Sequence, residues 1–339
     1  LFVELFEETE EFTTDPIGFA KALIKKSNEE FRYGDYSEGY ESSKKAFEIA
    51  QKLIEPKQGD LKAIIRINDE YAQACLTMSH VDETLFKIAN RNYENAKEVF
   101  GEIAYESLSA RITLGSLLRY AEMNGFKDQK CDNLVEFFRK THSLWKESHG
   151  ESHPKTLTAL NNLAGLLKSK GKQFYPEVEK LFRECLRLSQ DYPAPKGPRN
   201  LEFLHNLGII LREMGAADEA FEILKECYEL SKFVDGEKHV ATARYVYALA
   251  RASDEKHDTD SAEKYYRHFL DIATEFNDVE HKLVAANELA RILFTIKNDK
   301  TGAEILLRDY YKLAKSKLGP DHESTRALFE MLQSVGSDD

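Results

Sequence analysis

The chain has 339 residues, a formal net charge of −12, 42% hydrophobic and 31% charged residues. That is apolar material for a large core, and the acidic balance excludes functions resting on a general basic field, namely nonspecific binding of nucleic acid or of an anionic membrane surface. Cysteines stand only at 75, 131, 185 and 227, with no C-x-x-C pair, which predicts reduced thiols and a reducing, cytoplasmic-type compartment.

In chain order, the opening LFVELFEETEEF has no basic residues before its apolar ones and is not a secretory signal. It does not begin with Met, so a portion of a longer chain is expected. Residues 1–15 hold six carboxylates, no cation, and Phe2, Phe6 and Phe12. They predict an acidic extension that either leads into the first helix or docks into a groove. No apolar run approaches the roughly 20 residues of a membrane-spanning helix. Asp15-Pro16 supplies an N-cap and a first-turn proline. A turn at Gly34 precedes a second helix ending near Pro56. Residues 59–100 and 102–147 read as two further helix pairs, the latter with Leu114-Gly115 at its hinge.

From there a period becomes explicit. ALNNLAGLL (159–167), FLHNLGIIL (203–211), YVYALARAS (245–253) and AANELARIL (285–293) each carry Leu followed by a small residue, at 164, 208, 250 and 290. Three parallel columns follow: Val178, Ala220, Ala262, Ala303; Phe182, Leu224, Tyr266, Leu307; and Cys185, Cys227, Phe269, Tyr310. Within a unit, Leu160, Ala164 and Leu167 fall at i, i+4 and i+7, one face of a helix, as do Ala220, Leu224 and Cys227. The small residue allows close approach of the partner helix. Gly171 and Gly215 are expected as left-handed caps. The Pro-rich stretch DYPAPKGPRN (191–200) keeps the spacing, so it is read as an ordinary turn. ESTRALFEML (323–332) is a partial closing unit. The pattern predicts an all-α chain of about seven helix pairs plus a terminal helix.

NNLAGLLKSKGK with the following EVEKLFRECLRL resembles the tetratricopeptide repeat. The long period and the turns Gly150-Glu151-Ser152-His153, Gly236-Glu237-Lys238-His239 and Gly319-Pro320-Asp321-His322 are similar to the kinesin-light-chain subtype. The aromatic that usually follows the turn glycine is present as Tyr36 but is Ala217 in the unit from 201. The resemblance implies a right-handed superhelical solenoid. It would form one continuous array over 16–339, divergent at 16–100, clear at 101–320, and closed by a terminal helix and tail at 321–339. It implies a scaffold or adaptor binding peptides, not an enzyme.

Other chemistry carries less. Gly165 to Lys172 imitates a phosphate loop but has five residues between its glycines, Gln173 where Ser or Thr is required, and no preceding strand. His142, His149, His153 and Glu151 suggest a metal site, but Gly150 and Pro154 break the helix and His153 recurs as His239 and His322, which marks a capping turn residue. Cys185 and Cys227 lack a base partner, and Trp145 reads as packing. No metal and no cofactor are expected.

The resemblance places the groove on the first helix of each pair, three residues per helix: Ile112, Ser116, Arg119; Asn161, Gly165, Lys168; His205, Ile209, Arg212; Tyr247, Arg251, Asp254; Asn287, Arg291, Phe294. Each set holds one cation, in an acidic protein. Asn162 and Asn206 resemble the asparagines that hold a bound backbone in the family. The expected partner is another protein's extended acidic or aromatic-acidic segment. The alternative is a subunit packed permanently into a large assembly.

Overall fold

The computed structural model describes residues 15–53, 58–126, 133–190 and 198–336. The acidic extension up to residue 14, Pro56, Cys131, residues 191–197 of the Pro-rich stretch and the last three residues lie outside them. Among the described residues there is no strand, and no helix is long and apolar enough to cross a membrane. The described residues form fifteen α-helices: α1 Pro16–Tyr33, α2 Tyr36–Gln51, α3 Gln58–Thr77, α4 Glu83–Phe100, α5 Tyr105–Asn124, α6 Leu134–His149, α7 Pro154–Ser169, α8 Tyr175–Gln190, α9 Pro198–Glu213, α10 Ala217–Val234, α11 Val240–Glu255, α12 Thr259–Glu275, α13 Val279–Thr295, α14 Lys300–Lys317 and α15 Glu323–Gly336. They are seven pairs and a terminal helix, a tetratricopeptide-type arrangement. Two compact units result, residues 1–193 and residues 194–339.

Within each unit the hinge columns are the core. Ala164, Ala250 and Ala290 are fully buried, as are Val178, Ala220, Ala262 and Ala303, with Phe182, Leu224, Tyr266 and Leu307 beside them. A methyl group on Gly208 would sit 2.4 Å from Leu224 Cγ, so glycine lets α10 close onto α9. Cys185 Sγ lies 3.9 Å from the Leu157 carbonyl, and Cys227 Sγ donates to the Leu201 carbonyl at 3.3 Å. The same small residue therefore performs the same contact in successive repeats. Tyr310, the last of that column, is only partly buried, since a single helix covers that end.

The helix ends follow two local devices. After α1 and α9, Gly34 and Gly215 turn with positive φ, and the next residue's N–H returns to the carbonyl five back (Asp35 to Glu30, Ala216 to Leu211, both 2.9 Å). Gly171 departs from its expected left-handed cap. At φ 118, ψ 173 it keeps a positive φ that favours glycine but lies outside the left-handed helical region, and it opens a single 3-10 turn, Lys172–Phe174, ahead of α8. Where no glycine stands, Ser79, His257 and Asn277 take the left-handed conformation themselves. An aspartate then caps the next helix: Asp82, Asp258 and Asp278 accept from Leu85, Ser261 and His281 N–H.

The Gly-x-x-His turns form the second device. Nδ1 of His153, His239 and His322 accepts from the backbone N–H two residues on, at 3.2, 3.2 and 3.3 Å. Thr156 and Thr242 donate back to the carbonyls of Gly150 and Gly236, both at 2.8 Å. Gly101 with Ser107 repeats that bond at 2.7 Å in a turn without histidine. Thr242 is fully buried, but the Gly236 carbonyl also accepts from His239 N–H at 3.3 Å, so Thr242→Val is expected to cost about 0.5–1.5 kcal/mol by removing one of two hydrogen bonds, measured by denaturant unfolding.

Unit 1 carries two buried polar groups. Gln51 donates to Asn68, Asn68 to Asn92, and Asn92 to both Asp69 Oδ1 and the Ile65 carbonyl, all at 3.0–3.1 Å. This chain joins α2, α3 and α4, and burial pushes the Asp69 carboxyl up to about 7. Arg111 is buried on neutral partners: Nε to Thr141 Oγ1 at 2.8 Å, Nη1 to the Tyr93 hydroxyl at 3.0 Å, and its guanidinium 4.0 Å over the Phe137 ring.

Candidate functional site

Several first helices touch the first helix of the next repeat in their unit. In unit 1, α1 touches α3, α3 touches α5, and α5 touches α7; in unit 2, α9 touches α11 and α13 touches α15. Charged groups on these helices can therefore meet across the repeat boundary, about 8–10 Å from axis to axis.

On unit 1 the arrangement is compact. Ile112 is a core residue, clustered with Leu108, Trp145 and Ala159, and not a groove residue. Asn161 is buried too, whereas Asn162 and Lys168 are half-buried. Arg119 lies across α7, where a methyl group on Gly165 would be 2.6 Å from its Nη1. Gly165 thus serves as the seat of that side chain, and not as a phosphate loop.

On unit 2, α9, α11 and α13 bring the other candidates into two clusters. Arg212 and Arg251 both reach the carboxylate of Glu255, at 3.5 and 3.8 Å, with Arg212 largely covered and Arg251 open to solvent. One helix further, Arg291 pairs with Asp254 of α11 and, at 3.1 Å, with Glu288 of its own helix. The cations are thus ion-paired, an outcome hidden from the spacing because each acid comes from another turn or another repeat. Tyr247 is half-buried against Phe269, 5.1 Å between ring centroids. His205 meets Tyr245 edge-on at 5.4 Å, and Asn206 is half-buried beside it. The Oδ1 of Asn287 is sealed from solvent and has no hydrogen-bond partner among the described residues.

The remaining motifs are absorbed by packing. Trp145 is fully buried, donates Nε1–H to the Leu108 carbonyl at 3.2 Å, and stacks on His153, with centroids 5.4 Å apart. His149 stacks against the same ring at 4.8 Å. No group of His, Cys, Asp and Glu among the described residues is placed to hold a metal. Burial pushes the Cys227 thiol up to about 12 and that of Cys75 up to about 11, so both remain protonated at neutral pH.

A tetratricopeptide-repeat model matches residues 170–232 and 199–275. No curated protein matches the chain. Solved structures do. A Podosopora anserina kinesin light chain protein of nearly identical TPR-like repeats has 19% identity and a TM-score of 0.52, over 62% of this chain and 96% of that one. BtubC (BKLC) from P. vanneervenii has 17% identity and a TM-score of 0.54, over 70% and 91%. A Rap protein complexed with competence and sporulation factor has 13% identity and a TM-score of 0.54, over 93% and 87%. At such identities the likeness is one of fold, and the fold is the helical repeat of tetratricopeptide chains.

Proposed function

We propose, taking the tetratricopeptide-type fold as premise, that the chain is a non-enzymatic scaffold that holds an extended segment of another protein along α9, α11 and α13. The observation that carries this is the convergence of Arg212 and Arg251 on the single carboxylate of Glu255, one positive charge in excess on an otherwise acidic protein. A ligand carboxylate can share those two guanidinium groups at little desolvation cost, because Arg251 and Glu255 are already hydrated. The Rap protein, of like fold, is seen with a bound factor. Cys75, Cys185 and Cys227 form no disulfide among the described residues, which supports placing the chain in a reducing, cytoplasmic-type compartment.

The test is the affinity of a partner recovered with the full chain. Binding should weaken with salt, since exposed charges are screened beyond about 8–10 Å, and fall by about 100-fold or more in Arg212→Glu/Arg251→Glu. A partner indifferent to both overturns the reading. A second reading, a permanently packed subunit, is favoured by Phe233, which is 85% exposed on α10. It predicts a chain that aggregates when purified alone and a complex whose components do not exchange.

A further inference from the structure

The two charge clusters of unit 2 are of opposite sign. Arg212, Arg251 and Glu255 sum to one positive charge, whereas Asp254, Arg291 and Glu288 sum to one negative charge. Burial pushes the Tyr266 phenol up, and the Glu288 and Asp254 carboxylates add to that while Arg291 opposes it. A uniformly acidic ligand suits the α9–α11 cluster and is repelled by the α11–α13 cluster.

We propose that unit 2 selects its ligand by charge order: a carboxylate at Arg212 and Arg251, and a cationic side chain at Asp254 and Glu288. The spacing follows from geometry. Neighbouring helix axes are about 8–10 Å apart and an extended chain advances about 3.3 Å per residue, so acid and cation stand about three residues apart, in one fixed direction. This inference rests on the segment-binding reading above and adds the chemistry of the partner.

A library of random dodecapeptides displayed and selected on the full chain tests it. Enriched sequences should pair Asp or Glu with Lys or Arg three positions away, in one order only and several-fold above the mirrored order. In Asp254→Asn/Glu288→Gln, Arg291 loses both counter-charges, and selection at the cationic position should switch to Asp or Glu. Glu288→Gln alone keeps the Arg291–Asp254 pair and should remove the preference without reversing it, which covers a double variant that fails to fold. Peptides that enrich, and are lost on Arg212→Glu/Arg251→Glu, yet carry no ordered cation would overturn the charge order and leave the segment-binding reading standing. No enrichment sensitive to Arg212 and Arg251 would overturn both.

Discussion

Asp69→Asn is expected to raise the melting temperature at pH 8 and leave it unchanged near pH 4. The carboxyl is buried beneath α4 and α5, accepts from Asn92 at 3.0 Å, and has Ser109 and Lys155 as further favourable neighbours and Glu70 as an unfavourable one. Burial outweighs these and raises it from 3.8 to about 7. The native state then holds a proton that the unfolded chain releases between about pH 4 and pH 7. Its contribution to stability is fully present below pH 4 and is lost as pH rises to 7, at up to about 1.4 kcal/mol per unit. The whole window is worth up to about 4 kcal/mol. Asparagine mimics the protonated acid, keeping an acceptor for Asn92 and a donor for Ser109, and has nothing to titrate. Denaturant titrations of both proteins from pH 4 to pH 8 check this, and parallel profiles would refute it.

Gly208→Ala and Gly165→Ala are chemically the same change and are expected to differ in sign. At Gly208 the new carbon would lie 2.4 and 2.5 Å from Leu224 Cγ and Cδ2, atoms of a fully buried side chain with no space to retreat. Separating α9 from α10 should cost about 1–3 kcal/mol, more than the roughly 1 kcal/mol that alanine contributes to helix propensity, and Gly208→Leu should lie at or beyond the upper end. At Gly165 the obstructing atom is Arg119 Nη1, the end of a flexible, partly exposed chain. It can swing aside, so that variant should be neutral or slightly stabilised. Lys172→Ala, fully outside the packed columns, should do almost nothing.

The hinge columns were legible because a small residue between paired helices has no substitute, and each repeat restates the requirement in the same register. Caps were legible only where glycine or proline marked them. His257 and Asn277 do a glycine's work at the ends of α11 and α12, and an aspartate in front of a helix looks like any other surface acid until its partner N–H is seen. Charge pairing was not legible. Arg212 and Glu255 are 43 residues apart, so the stripe read as cationic when each cation was counted without its acid. Asp69 went unremarked because the repeat pattern is weak across residues 16–100, where a charged residue is naturally assigned to solvent; Arg111 lies on α5, and its burial shows only in its contacts with Tyr93, Thr141 and Phe137. Ile112 was misplaced for a related reason. The three-residue rule assumes one face per helix, whereas α5 is buried on nearly all sides by α4, α6 and α7.

Trp145 gives unit 1 a private optical signal. It is the chain's one tryptophan, sealed from water on α6 with its indole N–H bound to Leu108 and its face on His153. Intrinsic indole emission therefore follows the melting of residues 1–193 alone, while far-ultraviolet dichroism averages both units. Superimposed transitions would mean that the units unfold together, and an offset would measure their separate stabilities without a label or a cut.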